Sequence, residues 1–239
     1  MRIIDAIPPI HSEGYVFIIC GAAFAFLAGA FFPPLGWLAF LTTIFIACFF
    51  RDPKRVTPKG QDLIVSPADG VVDSIEDAHA PDELNDKTTY KRVSIFLSVF
   101  NVHVNRVPAS GTITDLHYRQ GKFLNANLDK ASTDNERQTC AMKTTNGTKI
   151  IFVQIAGLIA RRIICSLNEK QSIEAGDKFG IIRFGSRVDL YLPKETKIDV
   201  AVGQTMIGGE TIIAKLEKAK KIAATPKKKT IKAKVKKSA

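Results

Sequence analysis

Two uncharged apolar runs open the chain, and short apolar runs broken by turn residues fill most of the remainder. Tyr15 to Phe32 (YVFIICGAAFAFLAGAFF) carries no charge; Pro33–Pro34–Leu35–Gly36 interrupts it, and Trp37 to Phe50 (WLAFLTTIFIACFF) resumes without one. A membrane-spanning helix needs about twenty apolar residues, with about seventeen as the lower limit. The first run meets that limit; the second is short unless Leu35 and Gly36 join it. The central Pro–Pro break predicts a tight helical hairpin, or one span with a re-entrant turn. A cleaved signal peptide is disfavoured, because Met1 to Gly14 holds Asp5 and Glu13 beside Arg2 and the apolar region is too long.

From Leu63 onward the runs shorten. Leu63–Val65, Gly70–Ile75, Arg92–Val99, Gly111–Tyr118, Lys149–Ile155 and Ile163–Leu167 read as strands, as do Gly180–Phe184 and Val188–Leu192. Ile198 to Leu216 alternates, with turns at Gly203 and Gly208–Gly209, which predicts closely paired strands. Ala80 to Lys91 reads as a polar surface loop, and Gly121 to Arg137 as a longer irregular stretch of the kind that forms lids or binding loops. Helical periodicity is weak, with one turn expected at Thr133 to Arg137. The expected fold is mainly β, a small barrel-like or sandwich-like α+β body behind an N-terminal transmembrane helical hairpin. The chain thus divides into a membrane hairpin over 1–50, a catalytic body over 51–216 and a disordered lysine-rich tail over 217–239.

Charge sharpens this division. The chain of 239 residues has a formal net charge of +11, and from Lys215 to Ala239 eleven lysines face Glu217 alone, so the body is close to neutral. Such a tail is a solvated extension suited to an anionic surface. It holds no aromatic residue on which a base could stack, so no nucleic-acid partner is expected. Arg51, Lys54, Arg55 and Lys59 crowd the exit of the second apolar run, which favours the cytoplasmic side of a cell membrane for the body. Cys20, Cys48, Cys140 and Cys165 are scattered, with neither a disulfide framework nor ligand spacing, and the histidines suggest no metal site.

Three segments carry candidate chemistry: SPADGVV (Ser66–Val72), FNVHVNRVP (Phe100–Pro108) and the Gly185–Ser186 pair in GIIRFGSRVDLYLP. Taken singly, each has an ordinary structural reading. Gly–Ser is a common turn, Pro–Ala–Asp–Gly suits a β-turn, and His103 shares one face of a strand with Asn105.

Taken in order, they resemble the phosphatidylserine decarboxylases, over about Arg51 to Leu216. The resemblance implies self-cleavage between Gly185 and Ser186 into chains 1–185 and 186–239, which stay partners. Ser186 becomes a covalent pyruvoyl cofactor that forms a Schiff base with phosphatidylserine, leading to phosphatidylethanolamine and CO2. It also implies that Asp69 helps to activate Ser186 and that His103 donates or accepts a proton. The chemistry suits these residue types, since an α-decarboxylation needs an electron sink that no ordinary side chain supplies. A glycine before the serine leaves the attacked carbonyl unobstructed.

One position departs from the pattern. Many longer family members read HxxH-x-P, whereas this chain has His103 followed by Arg106. Either His103 serves both steps, or Asp69 acts without an imidazole while Arg106 stabilises negative charge; Arg106 is also a candidate for binding the lipid phosphate. The alternatives to a decarboxylase are a membrane-anchored serine hydrolase using Ser186 and a non-catalytic module that docks on anionic lipid. The oligomeric state stays open.

Overall fold

The computed structural model describes residues 8–60, 62–121, 135–157, 162–183 and 186–216. Helices α1 (Tyr15–Phe31) and α2 (Pro33–Phe49) come first, separated by the extended residue Phe32 alone. The break is therefore shorter than Pro33–Gly36. Both prolines lie in the first turn of α2, where a missing N–H costs no intrahelical bond. A Cβ on Gly36 would lie 2.4 Å from the Cα of Gly29, so two glycines set the close approach of the helices. Phe26, Phe31 and Trp37 point outward. Ser12–Phe31 is long and apolar enough to cross a membrane, and Pro33–Phe49 is a shorter apolar helix. At the base, His11 N–H donates to the Phe50 carbonyl (2.8 Å) and Asp52 N–H to the Pro9 carbonyl (2.7 Å), so both ends leave on one side.

The body is mainly β. Its strands among the described residues are β1 (Leu63–Val65), β2 (Gly70–His79), β3 (Thr89–Leu97), β4 (Val104–Arg106), β5 (Gly111–Arg119), β6 (Arg137–Thr144) and β7 (Lys149–Ala156). They continue with β8 (Ile163–Cys165), β9 (Ser172–Ile173), β10 (Lys178–Ile182), β11 (Ser186–Pro193), β12 (Thr205–Met206) and β13 (Ile212–Lys215). Eight form one curled sheet in the order β12-β2-β3-β11-β7-β6-β5-β9. Two small sheets, β4-β10-β8 and β1-β13, complete the body.

Side-chain alternation places the core. Val93, Ile95 and Leu97 of β3, Val188 and Leu190 of β11, and Ile150 and Phe152 of β7 point to the inner face, where they meet Phe179 and Ile182 of β10 and Ile213 of β13. On the outer face Tyr90, Ile151, Val153 and Tyr191 pack under Ala80. The central strands are thus buried on both sides.

That double burial explains a strand the sequence pattern does not reveal. In β6 Cys140 and Met142 join the inner core and Ala141 the outer cluster, so RQTCAMKT shows no simple apolar alternation. The helical turn expected over 133–137 is absent from its described part, since Asn135 is a bend and Arg137 begins β6. The tail and most of the 121–137 stretch lie outside the described residues. Over 198–216 the expected local pairing is also corrected. β12 pairs with β2 and β13 with β1, and only the isolated bridge Ile198↔Ala214 is local. The turns at Gly203 and Gly209 are real, with φ of 85° and 78°, and they redirect the chain toward distant strands.

Candidate active site

Ser186 begins β11 on its inner face, opposite Leu97 of β3 and Ala156 of β7. It is fully buried, and its Oγ has no hydrogen-bond partner among the described residues. Gly185 lies outside the described residues. Asp69 directly precedes β2, which is antiparallel to β3 on its other side; Val71, Phe96 and Arg187 form one row across the three strands. The start of β2, the end of β3 and the start of β11 therefore share one end of the sheet. Asp69 and Ser186 flank β3 there, two strand spacings or about 10 Å apart along the sheet.

Over 67–69 the chain bends without a closing Gly70–Pro67 hydrogen bond, the Pro67 carbonyl accepting from Arg106 N–H instead, and presents the Asp69 carboxylate. Oδ1 accepts from the Gly208 N–H at 2.8 Å and Oδ2 from Arg55 Nη2 at 2.7 Å. Burial raises the Asp69 pKa above the ordinary carboxylate value, outweighing the opposing pull of the Gly208 N–H and Arg55. Gly70 has φ 155°, and a Cβ there would sit 2.2 Å from the Phe96 carbonyl oxygen, so this bend requires glycine to meet β3.

His103 enters from the small sheet. Its carbonyl accepts from Ile182 N–H at 3.4 Å, at the end of β10 from which the chain runs on to Ser186. The imidazole is fully buried. Nδ1 lies 3.0 Å from the Asn101 carbonyl oxygen, which can only accept, so Nδ1 carries the proton and Nε2 a free lone pair. Burial pushes its pKa down to about 4, with Arg51 adding to the effect and the Asn101 carbonyl opposing it. Asn105, two residues on, receives a 2.8 Å hydrogen bond from Gln154 Nε2 of β7. Gln154 faces Val188 and is the diagonal neighbour of Ser186 on the inner face. Asn105 and Gln154 thus meet across the core beside Ser186, while His103, just ahead of β4, packs on Phe49.

Arg106 is nearly buried and already occupied. Nη1 donates to the Gly176 carbonyl (2.9 Å), Nη2 to the Pro53 carbonyl (3.0 Å), and Asp52 Oδ1 lies 3.6 Å away. It clamps β4 to the segment leaving the hairpin. Ser186 Oγ and His103 Nε2 have no partner among the described residues and Asp69 is held by Arg55 and Gly208, so the sequence candidates are not hydrogen-bonded into a Ser–His–Asp chain.

The hairpin reaches the same end of the body. Phe49 stacks on His103 with ring centroids 4.0 Å apart, within a cluster of Phe49, Phe50, Val102, Val104 and Ile181. Arg183, three residues before Ser186, pairs with Glu13 and lies over the Phe17 ring at 5.2 Å. Sequence reading missed Arg55, Phe49 and Gln154 as site residues. The first two were absorbed by the membrane reading. Gln154 carried a usable signal, because it sits at the inner parity of KIIFVQIA, after Ile150 and Phe152, where a polar side chain needs a reason.

Comparison with known proteins gives the class to which the chain belongs, that of the decarboxylases. A model of the family described as phosphatidylserine decarboxylase matches residues 42–214. A Rickettsia bellii protein named phosphatidylserine decarboxylase proenzyme is 56% identical over 211 residues, 88% of this chain and 91% of its own length. Proteins of that name from Rickettsia typhi and Rickettsia akari are each 54% identical, over 88% and 92% of this chain. The chain belongs to the phosphatidylserine decarboxylase family.

Proposed function

We propose that the chain is a proenzyme that cuts itself between Gly185 and Ser186 and then converts phosphatidylserine to phosphatidylethanolamine and CO2. The observation that carries this reading is the Ser186 hydroxyl, buried without a partner among the described residues at the head of a central strand. An idle buried hydroxyl costs stability, and a nucleophile held for one intramolecular reaction accounts for it.

In the cut, Oγ attacks the Gly185 carbonyl carbon and the peptide nitrogen leaves as the free amine of Ser186, converting amide to ester. Loss of the Cα proton then expels the Gly185 carboxylate. The resulting dehydroalanine takes up water and releases ammonia, leaving a ketone. Asp69 receives the Oγ proton through intervening water, since β3 lies between the two residues. Burial raises its pKa and so its affinity for that proton, while the Arg55 pair offsets part of the cost of burying the charge.

Ser186 fits the precursor of a pyruvoyl group, since Leu97 and Ala156 beside it bring no competing polar side chain. That group supplies the electron sink for the bond broken at the substrate α-carbon. His103 moves the proton. As a neutral imidazole with a free Nε2, it accepts a hydrogen bond from the substrate ammonium. Its imidazolium form, a strong acid at this depressed pKa, delivers a proton to the α-carbon once CO2 has left. Arg106 contributes positive potential for the headgroup phosphate. A direct two-pronged contact would displace its bonds to Gly176 and Pro53.

The apolar hairpin associates the chain with a membrane. Its base adjoins His103, which suits a substrate whose acyl chains stay in the bilayer. The basic exit at Arg51, Lys54, Arg55 and Lys59 favours the cytoplasmic face. The division into hairpin (1–50), catalytic body (51–216) and tail (217–239) belongs to the same reading.

Intact mass of the purified protein and of Ser186→Ala tests the whole. Two fragments are expected for the wild type, the smaller one reactive toward hydroxylamine, and one uncut chain for the variant. An uncut, active wild type that reacts with fluorophosphonates would instead identify a serine hydrolase.

A further inference from the structure

Asn105 and Gln154 are both fully buried and hydrogen-bonded to each other across the core. A side-chain amide has one donor end and one acceptor end, so a single bond between two amides leaves one of each. Here these are Asn105 Nδ2 and Gln154 Oε1, and neither has a partner among the described residues. Leaving a buried donor or acceptor unsatisfied costs stability, whereas an apolar pair of the same shape would avoid that cost.

The fold makes room for this arrangement. Gly180 of β10 lies opposite Asn105, and a Cβ there would stand 3.0 Å from Gln154 Nε2 and 2.1 Å from the Ile164 carbonyl oxygen. Diagonal neighbours on one sheet face are about 7–8 Å apart, which puts Gln154 within side-chain reach of Ser186. Ser186 Oγ and His103 Nε2 are likewise buried and unpartnered among the described residues. Asn105 Nδ2, Gln154 Oε1 and Ser186 Oγ are therefore three idle polar atoms in one interior region.

An α-amino acid offers the complementary set, a carboxylate that accepts and an amine that donates, joined through one carbon. We infer that the Asn105–Gln154 pair recognises the serine headgroup, with Asn105 Nδ2 donating to its carboxylate and Gln154 Oε1 accepting from its amine. This rests on the decarboxylase reading and adds specificity to it. A neutral amide orients the carboxylate without cancelling its charge, so little of the binding opposes departure as CO2. Once CO2 has gone the Asn105 donor has lost its acceptor, which disfavours the ethanolamine product and any headgroup without a carboxylate.

The test uses full-length protein in mixed detergent–lipid micelles. Asn105→Ala, Asn105→Asp and Gln154→Leu are compared with the wild type for extent of self-cleavage, for kcat and KM with phosphatidylserine, and for inhibition by phosphatidylethanolamine. All three are expected to cut as the wild type does. KM should rise roughly ten- to hundredfold, the scale of a hydrogen bond to a charged group. Asn105→Asp should be worse than Asn105→Ala despite its better shape, because its carboxylate repels that of the substrate; a packing role predicts the opposite order. The inhibition constant for phosphatidylethanolamine should barely change in Asn105→Ala. Unchanged KM in cut protein, Asn105→Asp milder than Asn105→Ala, or loss of cleavage with normal turnover in the cut fraction would each overturn the inference. If Asn105 variants fail to fold, Gln154→Leu decides, since it removes the Oε1 acceptor and leaves Asn105 in place, though without the Nε2 bond to Asn105 Oδ1. An uncut wild type would instead remove the decarboxylase reading beneath it.

Discussion

Phe49, the last residue of α2, lays its ring on the imidazole of His103 at a centroid distance of 4.0 Å and an interplanar angle of 32°. The apolar hairpin is thereby a wall of the candidate site. The contact helps keep water from His103, and burial is the main reason its pKa falls to about 4.

Opening that wall should restore basicity to the imidazole. In Phe49→Ala the His103 pKa is expected to rise toward 6.5, and in Phe49→Leu to rise less. The pH dependence of decarboxylation by cut protein checks this, because the acid limb should move to higher pH by about one unit or more. An unmoved limb would show that Phe49 does not set the environment of His103.

The same ionisation sets a stability window. His103 has a depressed pKa when folded, so the unfolded chain binds more protons than the native one between about pH 6.5 and 4. Its contribution to stability is present above pH 6.5 and is lost as the pH falls through that interval, by roughly 3 kcal/mol in all. Thermal unfolding of wild type and His103→Gln across pH 4–7 should diverge, with the wild type showing the steeper loss on the acid side.

Asp69 and His103 should separate two activities. Asp69→Asn is expected to slow self-cleavage by about 10²–10⁴-fold, the usual worth of a general base, leaving mostly full-length chain. His103→Ala should still cut and yield a carbonyl-bearing small fragment, yet decarboxylate slower by a similar factor. A denaturing gel and a CO2-release assay on the same samples distinguish the steps, and an uncut His103→Ala would reassign the imidazole to maturation.

The far end of the hairpin should behave differently from its base. At Gly36 an added Cβ would meet the backbone of Gly29 at 2.4 Å, so Gly36→Ala is expected to spread the helices and cost about 1–3 kcal/mol. Unfolding in detergent measures that loss. Cutting and turnover should persist, because Phe49 and His103 lie at the opposite end of α2 from Gly36.

Much of the fold is legible where one face of a strand is buried and the other is wet. In β5, Gly111 and Ile113 are buried while Thr112 and Thr114 are exposed, and its limits can be read within a residue. β6 is not legible, because both faces are covered and Arg137 and Thr139 are buried against Glu83, a partner the local pattern cannot reveal. For the site, the chemistry-bearing residue types stand out singly. Their arrangement does not, since the facing of Asn105 and Gln154 depends on two sheets meeting across the core, and the Arg55–Asp69 pair on a segment that reads as a membrane flank. The Pro33–Pro34 break is plain in the sequence, but prolines that open a helix resemble prolines that end one.

The position of β11 has a further consequence. It lies fourth in an eight-stranded sheet, hydrogen-bonded along its length to β3 and β7. Severing the backbone just ahead of it leaves a new terminus stitched into the middle of the fabric, where neither piece can drift from the other without tearing the sheet. Scission and separation are therefore different events for this molecule. Once both pieces have been pulled apart by denaturant, reassembly becomes a bimolecular problem that the newly made chain never faces.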